Sequence, residues 1–249
     1  MTPSTPILDL RNQLAVVTGA GSGIGLAIAS ALAEHGAAVQ LVGRQRAPLD
    51  DLRTKLVSAG YQAKTRPCDL THDEEILALR DRLMAEHGRV DILVHSAGTI
   101  SLGPIASAPV SDFDNQYRIN VRAPYLLTQV LLPLIQKGQG QIVFVNSSVG
   151  LRTKEHVGAY AATKHALKAI ADTLRMEINS SGVRVLSVYP GNTATSMQEI
   201  VQKHAGEHID AEYLLQPADV ASVVIHALCL PRTAEATDIH IRPFNKPPR

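Results

Sequence analysis

Short apolar runs, bounded by glycine, proline and polar residues, alternate along this chain with longer segments whose apolar positions recur every three or four residues. Runs of that length suit strands buried on both faces, and the longer segments suit helices with one apolar stripe. The apolar runs fall at 14–18 (Leu-Ala-Val-Val-Thr), 39–42, 90–95, 141–145 and 183–188; the alternation adds a short, more polar strand near 62–66 and a last short one in which Ile239 and Ile241 alternate with His240 and Arg242 and which Pro243 stops. Helices fall between them: an alanine-rich one ending near His35, then 49–59, 73–87, a long one over 111–136, 158–180 and 218–228. Such alternation means a parallel sheet with helices on both faces, so the expected fold is a doubly wound parallel α/β domain. One segment, 192–216, is polar and breaks the rhythm; it reads as a mobile substrate flap over the strand ends.

Composition narrows the partners. With 249 residues, 45% hydrophobic and 19% charged, the chain is long enough for one large domain over 1–249. A formal net charge of +1 gives no field to favour nucleic acid or an anionic membrane, which leaves a small molecule as the expected partner. No apolar run reaches the roughly 18 residues of a membrane span, and the first ten residues have no basic region or long apolar stretch. A cytoplasmic protein is expected. Cys68 and Cys229 have no metal-ligand spacing and read as two reduced thiols.

The first strand runs directly into Gly19-Ala20-Gly21-Ser22-Gly23-Ile24-Gly25. Counted from Gly19, Ile24 falls where the last glycine of Gly-x-Gly-x-x-Gly would stand, so the stretch reads as Thr-Gly-x-x-x-Gly-x-Gly. Glycines at 19, 23 and 25 permit positive φ and let backbone N–H groups approach a pyrophosphate at a helix N-terminus. Gly21, Ser22 and Ile24 belong to the same cofactor-binding turn. The second strand ends in Gly43-Arg44-Gln45-Arg46, with no acid between Glu34 and Asp50. An NAD-binding protein of this fold places an acid there for the ribose hydroxyls. Gly43 instead leaves room for a 2′-phosphate, and Arg44, with Arg46 as a second donor, offers it charge-assisted bonds, so NADP(H) is the expected cofactor. After the third strand, Asp69 reads either as a helix cap or as an acceptor for an adenine amino group.

Tyr160 and Lys164 lie four positions apart near the start of a helix and share one face. A phenol titrates near 10, so acid or base work at neutral pH needs about 4 kcal/mol of help, part of which a neighbouring ammonium supplies. Roughly 0.2 such pairs arise by chance in a chain of this composition, so the pair needs other motifs in the right order.

Those motifs are present. The glycine turn, Asp69, Ala97-Gly98, Asn120, Ser147, Tyr160, Lys164 and Pro190-Gly191, in that order, make the chain resemble the short-chain dehydrogenase/reductase family over about 10–241. The resemblance implies a Rossmann-like domain with Tyr160 as the catalytic acid/base. Lys164 would hold the nicotinamide ribose and lower the Tyr160 pKa. Ser147, 13 residues before Tyr160, would hydrogen-bond the substrate oxygen, and Asn120 would hold a water relaying protons to Lys164. Leu70 and Ser96, with Ala97 and Gly98, join the cofactor site, as do Pro190, Gly191, Thr193 and Thr195, the last placed to reach the carboxamide. The implied function is reduction of a ketone or 3-oxoacyl-type carbonyl in a homotetramer, the alternative being a catalytically silent dinucleotide sensor.

The chain also departs from the family's pattern. His95-Ser96 stands where the family commonly has Asn-Asn, and His95 reads as a structural substitute. Ser22 occupies a turn position where some NADP-dependent relatives carry a base, which moderates the expected preference. Thr193 replaces an apolar residue, and the glycine-rich turn before the last strand is missing. His204 and His208 could share a helical face but have no third ligand nearby, so no metal site is expected. Arg152, Lys154 and His156 lie on the loop between Ser147 and Tyr160, read as a solvated rim that could favour an anionic substrate. The tail 243–249 would pack on a neighbouring subunit.

Overall fold

Alternate residues of the first strand go to opposite buried faces: Ala15 and Val17 join one apolar cluster, Leu14 and Val16 the other. Burial on both faces requires helices on both, and the computed structural model, which describes residues 9–245, has them. Seven strands, β1 (Leu14–Thr18), β2 (Ala38–Gly43), β3 (Ala63–Pro67), β4 (Ile92–His95), β5 (Gln141–Val145), β6 (Arg184–Pro190) and β7 (Asp238–Ile241), pair throughout in parallel in the order β3-β2-β1-β4-β5-β6-β7. This is the doubly wound, Rossmann-like architecture. The strand order reverses direction between β1 and β4, and in such sheets the crevice for ligands opens there, beyond the carboxyl ends of the strands.

The helices are α1 (Gly23–Glu34), α2 (Arg46–Ser58), α3 (Asp73–Glu86), α4 (Val110–Tyr117), α5 (Ala123–Lys137), α6 (Gly158–Ile178), α7 (Ser196–Ala205) and α8 (Pro217–Leu228). One cluster packs Ile28, Leu32, Leu49, Val220 and Val224 from α1, α2 and α8 on one side of the sheet. The other packs Ile76, Leu127, Leu131 and Leu167 from α3, α5 and α6.

Two expectations are corrected. The long helix over 111–136 is interrupted by a π-helical turn, Arg118–Arg122, between α4 and α5. Pro124 has no N–H to return to the carbonyl of Asn120, four residues back, and the helix widens at that place. The 192–216 segment is not irregular, because it carries α7. Thr195 caps it by accepting from the Gln198 N–H at 3.3 Å, and Gly206 ends it at φ 65. Beyond α7, Ala211–Tyr213 forms a single 3₁₀ turn, and Thr193 bridges to Leu215, tying both ends of the segment together.

Candidate active site

Close approach dictates the glycine turn. Gly19 has φ +68, and a Cβ there would stand 2.8 Å from the Ala97 nitrogen; Gly23 has φ +53. Gly25 differs from the expectation of a positive φ: its need is for space, since a Cβ would lie 2.3 Å from the Gly19 carbonyl oxygen. Thr18, which the sequence reading passed over as a site residue, fixes the turn against the next strand. Its hydroxyl donates to the Val94 carbonyl (3.2 Å) and accepts from the Ser96 and Ala97 N–H groups (3.0 and 3.1 Å). Helix α1 begins at Gly23, and the Ser22 side chain caps none of its first N–H groups. An anion such as a pyrophosphate fits a cradle of that kind, cleared of side chains and facing free donors.

Arg44, Arg46, Asp69 and Leu70 lie outside the main cavity, beyond the carboxyl ends of β2 and β3. Both arginines are exposed, and among the described residues neither has an acid within ion-pair distance. The nearest atom to a Cβ on Gly43 would be the Leu49 side chain at 3.4 Å, an ordinary contact distance, so a side chain has room there. Burial raises the Asp69 pKa, but two hydrogen bonds from Thr71, with the nearby His72 and Arg44 charges, outweigh it and hold the carboxyl below its ordinary value.

The main cavity, about 510 Å³, has the turn glycines 19, 23 and 25, with Ser22, Ile24 and Ser96–Gly98, on one wall. Ser147, Tyr160 and Lys164 form another, and Pro190, Gly191, Thr193 and Thr195 come from the β6 end. Ser147 stands at the start of a 3₁₀ turn, Ser148–Gly150, where its Oγ accepts from the Val149 N–H at 3.3 Å. That leaves the Ser147 proton free to be donated outward. Tyr160 is buried to 6% exposure, and its phenol donates to Met197 Sδ of α7 at 3.8 Å rather than to Ser147. Lys164, buried to 5%, donates to the Val145 carbonyl at 3.0 Å.

Burial sets both ionisations. It pushes the Tyr160 phenol up to about 12, with the Ser147 hydroxyl pulling the other way, and it pushes Lys164 down to about 8. The Lys164 ammonium stands 5.7 Å from the centre of the Tyr160 ring, a positive charge that lowers the cost of a phenolate.

Asn120 is buried in the π turn, and its side chain is committed. Oδ1 accepts from the Thr99 N–H (2.9 Å), while Nδ2 donates to the Thr99 carbonyl (2.9 Å) and the Thr163 hydroxyl (3.1 Å). Both amide hydrogens are thus used on protein, and Asn120 clamps the segment after Gly98 to α6. Asn146 is a second clamp that sequence reasoning missed: it accepts from the Ser147 N–H (2.9 Å) and donates to the Lys164 carbonyl (3.1 Å). The available signal was an asparagine at the end of an apolar strand, immediately before the serine.

His95 lies in the core, away from the cavity. It stacks on Phe144 with ring centres 4.8 Å apart and shares a 2.8 Å hydrogen bond with Thr128, and burial pushes its pKa down to about 3. His204 packs against His156, and His208 pairs with Asp210 at 3.2 Å, so the two do not converge. Of the tail, Pro243 lies against Gly191 of its own chain and Phe244 is 99% exposed; positions 246–249 fall outside the described residues.

Comparisons with known proteins bear on the family and the fold. A family model described as short chain dehydrogenase matches residues 13–206. The chain is 34% identical to a glycine betaine reductase of Emericella nidulans over 96% of its own length, although it spans only 19% of that protein. It is 32% identical to an uncharacterized oxidoreductase of Staphylococcus aureus (strain N315), across 94% of this chain and 98% of that one. Among solved structures, it is similar to a variant of the actinorhodin polyketide ketoreductase with NADPH, at TM-score 0.86 and 28% identity, covering 93% and 96% of the two chains. It is equally similar in fold to a 7α-hydroxysteroid dehydrogenase complexed with NADH and 7-oxo glycochenodeoxycholic acid, at TM-score 0.85 and 27% identity, covering 96% of each.

Proposed function

Because the chain belongs to the short-chain dehydrogenase/reductase family, we propose that this oxidoreductase interconverts a carbonyl and a secondary alcohol with NADP(H), as a reductase of ketones or 3-oxoacyl-type compounds. The observation that carries this reading is the placing of Ser147, Tyr160 and Lys164 on one cavity with the Gly19–Gly25 turn. When bound, the nicotinamide supplies or accepts the hydride.

The chain's own residues handle the proton and the oxygen. Ser147, with its acceptor side engaged by Val149, donates its proton to the substrate oxygen. Tyr160, which keeps its proton at neutral pH, is the acid that completes reduction, once its hydrogen bond to Met197 is exchanged for one to substrate. Lys164 carries its charge below about pH 8, and that charge stabilises the phenolate left behind. Asn120 and Asn146 hold α6 and the strand ends in place. A proton relay through Asn120 would use its backbone carbonyl, which Pro124 leaves without the usual helical donor.

The preference for NADP(H) rests on the absence of an acid after β2, the open space at Gly43 and the uncommitted Arg44 and Arg46. The NADPH-bound ketoreductase neighbour supports it, whereas the NADH-bound steroid dehydrogenase shows that the fold accepts either cofactor. Turnover of a carbonyl panel, with each cofactor in turn, tests the reading. A cytoplasmic location belongs to the same proposal; no helix among the described residues is long and apolar enough to cross a membrane.

We also propose a homotetramer. Tyr117, Tyr125 and Met176 are exposed on the outer faces of α4, α5 and α6. A second cavity of about 310 Å³ opens among Ile105, Val110, Phe113 and Ala162, and Gln116 lines it with neither amide atom partnered among the described residues. Pairing of such faces about a twofold axis closes symmetrically.

A further inference from the structure

We infer that the substrate carries a carboxylate, received by Arg152 and Lys154 at the mouth of the catalytic cavity; this rests on the oxidoreductase reading above. The charged side chains that line the cavity are Arg152, Lys154 and Lys164, all cations. Among the described residues no Asp or Glu lines it. Neither Arg152 nor Lys154 has an acid within ion-pair distance or a side-chain hydrogen bond among those residues, so both charges are unspent.

The loop's third basic residue is held elsewhere. His156 adopts φ 62 and accepts a hydrogen bond from the Gly103 N–H at 2.9 Å, and its ring packs 5.7 Å from that of His204 on α7. It therefore lines the second cavity and not the catalytic one. The contact ties the loop to α7 from behind, while Arg152 and Lys154 remain on the catalytic side. Apart from these cations, Ile100, Val149, Val157, Met197 and Val201 give the cavity apolar wall.

A ligand complementary to this wall has a carbonyl for Ser147 and Tyr160, a carbon chain for the apolar side and an anion for the rim. A guanidinium fork matches a carboxylate in two parallel hydrogen bonds, and the lysine adds a point charge beside it. Cations gathered at a concave mouth also raise the local concentration of anionic substrates.

The experiment compares a ladder of straight-chain oxo acids of increasing length with their methyl esters, each reduced with NADPH. The oxo acid of best length is expected to exceed its ester in kcat/KM by about tenfold to a hundredfold, since one charge-assisted bond is worth that much. The ratio should fall as KCl is added. In Arg152→Ala/Lys154→Ala the loss should appear in KM for the oxo acid and not in KM for NADPH, and Arg152→Lys should restore part of it. Esters reduced as well as the acids, or a double variant whose NADPH KM rises instead, would overturn the inference while leaving the oxidoreductase reading in place. If no member of either ladder, nor any other carbonyl, is reduced with either cofactor, both fail together.

Discussion

Lys164 donates its hydrogen bond to the backbone oxygen of Val145, 3.0 Å away, while its ammonium sits 5.7 Å from the centre of the Tyr160 ring. The lysine is thus fixed by the end of β5 and acts on the tyrosine through charge. Lys164→Ala should lower turnover and also weaken NADPH binding. Tyr160→Phe should abolish turnover almost completely and leave NADPH affinity little changed, as titration of bound NADPH fluorescence would show. Because Lys164 is pushed down to about 8, the free protein loses this cation as pH rises through that value. An alkaline fall in kcat/KM near pH 8 is expected, and Lys164→Arg should move it to higher pH.

His95 provides an acid-stability prediction. Its pKa falls from 6.5 to about 3 on burial, so between those values the unfolded chain binds a proton that the folded one does not. Stability therefore drops on acidification through this window, by at most about 1.4 kcal/mol per pH unit. Urea unfolding of His95→Asn should show a shallower loss between pH 7 and pH 5. The variant should also lose about 1 kcal/mol at pH 7 with the Phe144 stacking. An unchanged pH dependence would mean that another group dominates.

The cofactor assignment is testable at Gly43, where a side chain has room and the backbone is not left-handed. Gly43→Asp should swing kcat/KM toward NADH by placing a carboxylate where a 2′-phosphate would lie, and Arg44→Ala should weaken NADPH about tenfold. Higher efficiency with NADH in the unmodified protein would contradict the roles given to Arg44 and Arg46.

Much of the fold was legible because β1, β2, β4, β5 and β6 are buried on both faces and read as short apolar runs between turn residues, whereas the edge strands β3 and β7 are polar and half exposed and were read from their place in the alternation. The π turn was not, since helical periodicity is nearly the same on either side of it and only Pro124 signalled that the Asn120 carbonyl would lack a donor. Helix α7 was missed because its apolar positions, Met197, Ile200 and Val201, are few and its cap is a single threonine. In the site, the glycines and the Tyr160–Lys164 spacing were readable as local pattern. Thr18 and Asn146 were less so, because they act through contacts with residues 76 and 18 positions away.

Light scattering should report about four chains per particle if the exposed faces of α4, α5 and α6 pair as proposed. Tyr125→Glu on that face should shift the particle toward smaller species. Phe244 is 99% exposed in the single chain, and if the tail packs on a neighbouring subunit as proposed, removal of 243–249 should change the kinetics. A monomer at all concentrations would refute the assembly, and unchanged kinetics would refute the role of the tail.

The central claim is most directly tested by following the hydride itself. NADPH carrying deuterium at C4 of the nicotinamide, on the transferred face, is incubated with the protein and a panel of ketones, aldehydes, 3-oxoacyl thioesters and oxo acids, and the alcohols are examined by mass spectrometry. The account predicts one deuterium on the carbinol carbon of the best substrate and its near-complete loss in Tyr160→Phe. An alcohol formed without deuterium when both C4 positions carry it, or a Tyr160→Phe variant that labels the product as well as the unmodified protein does, would contradict it.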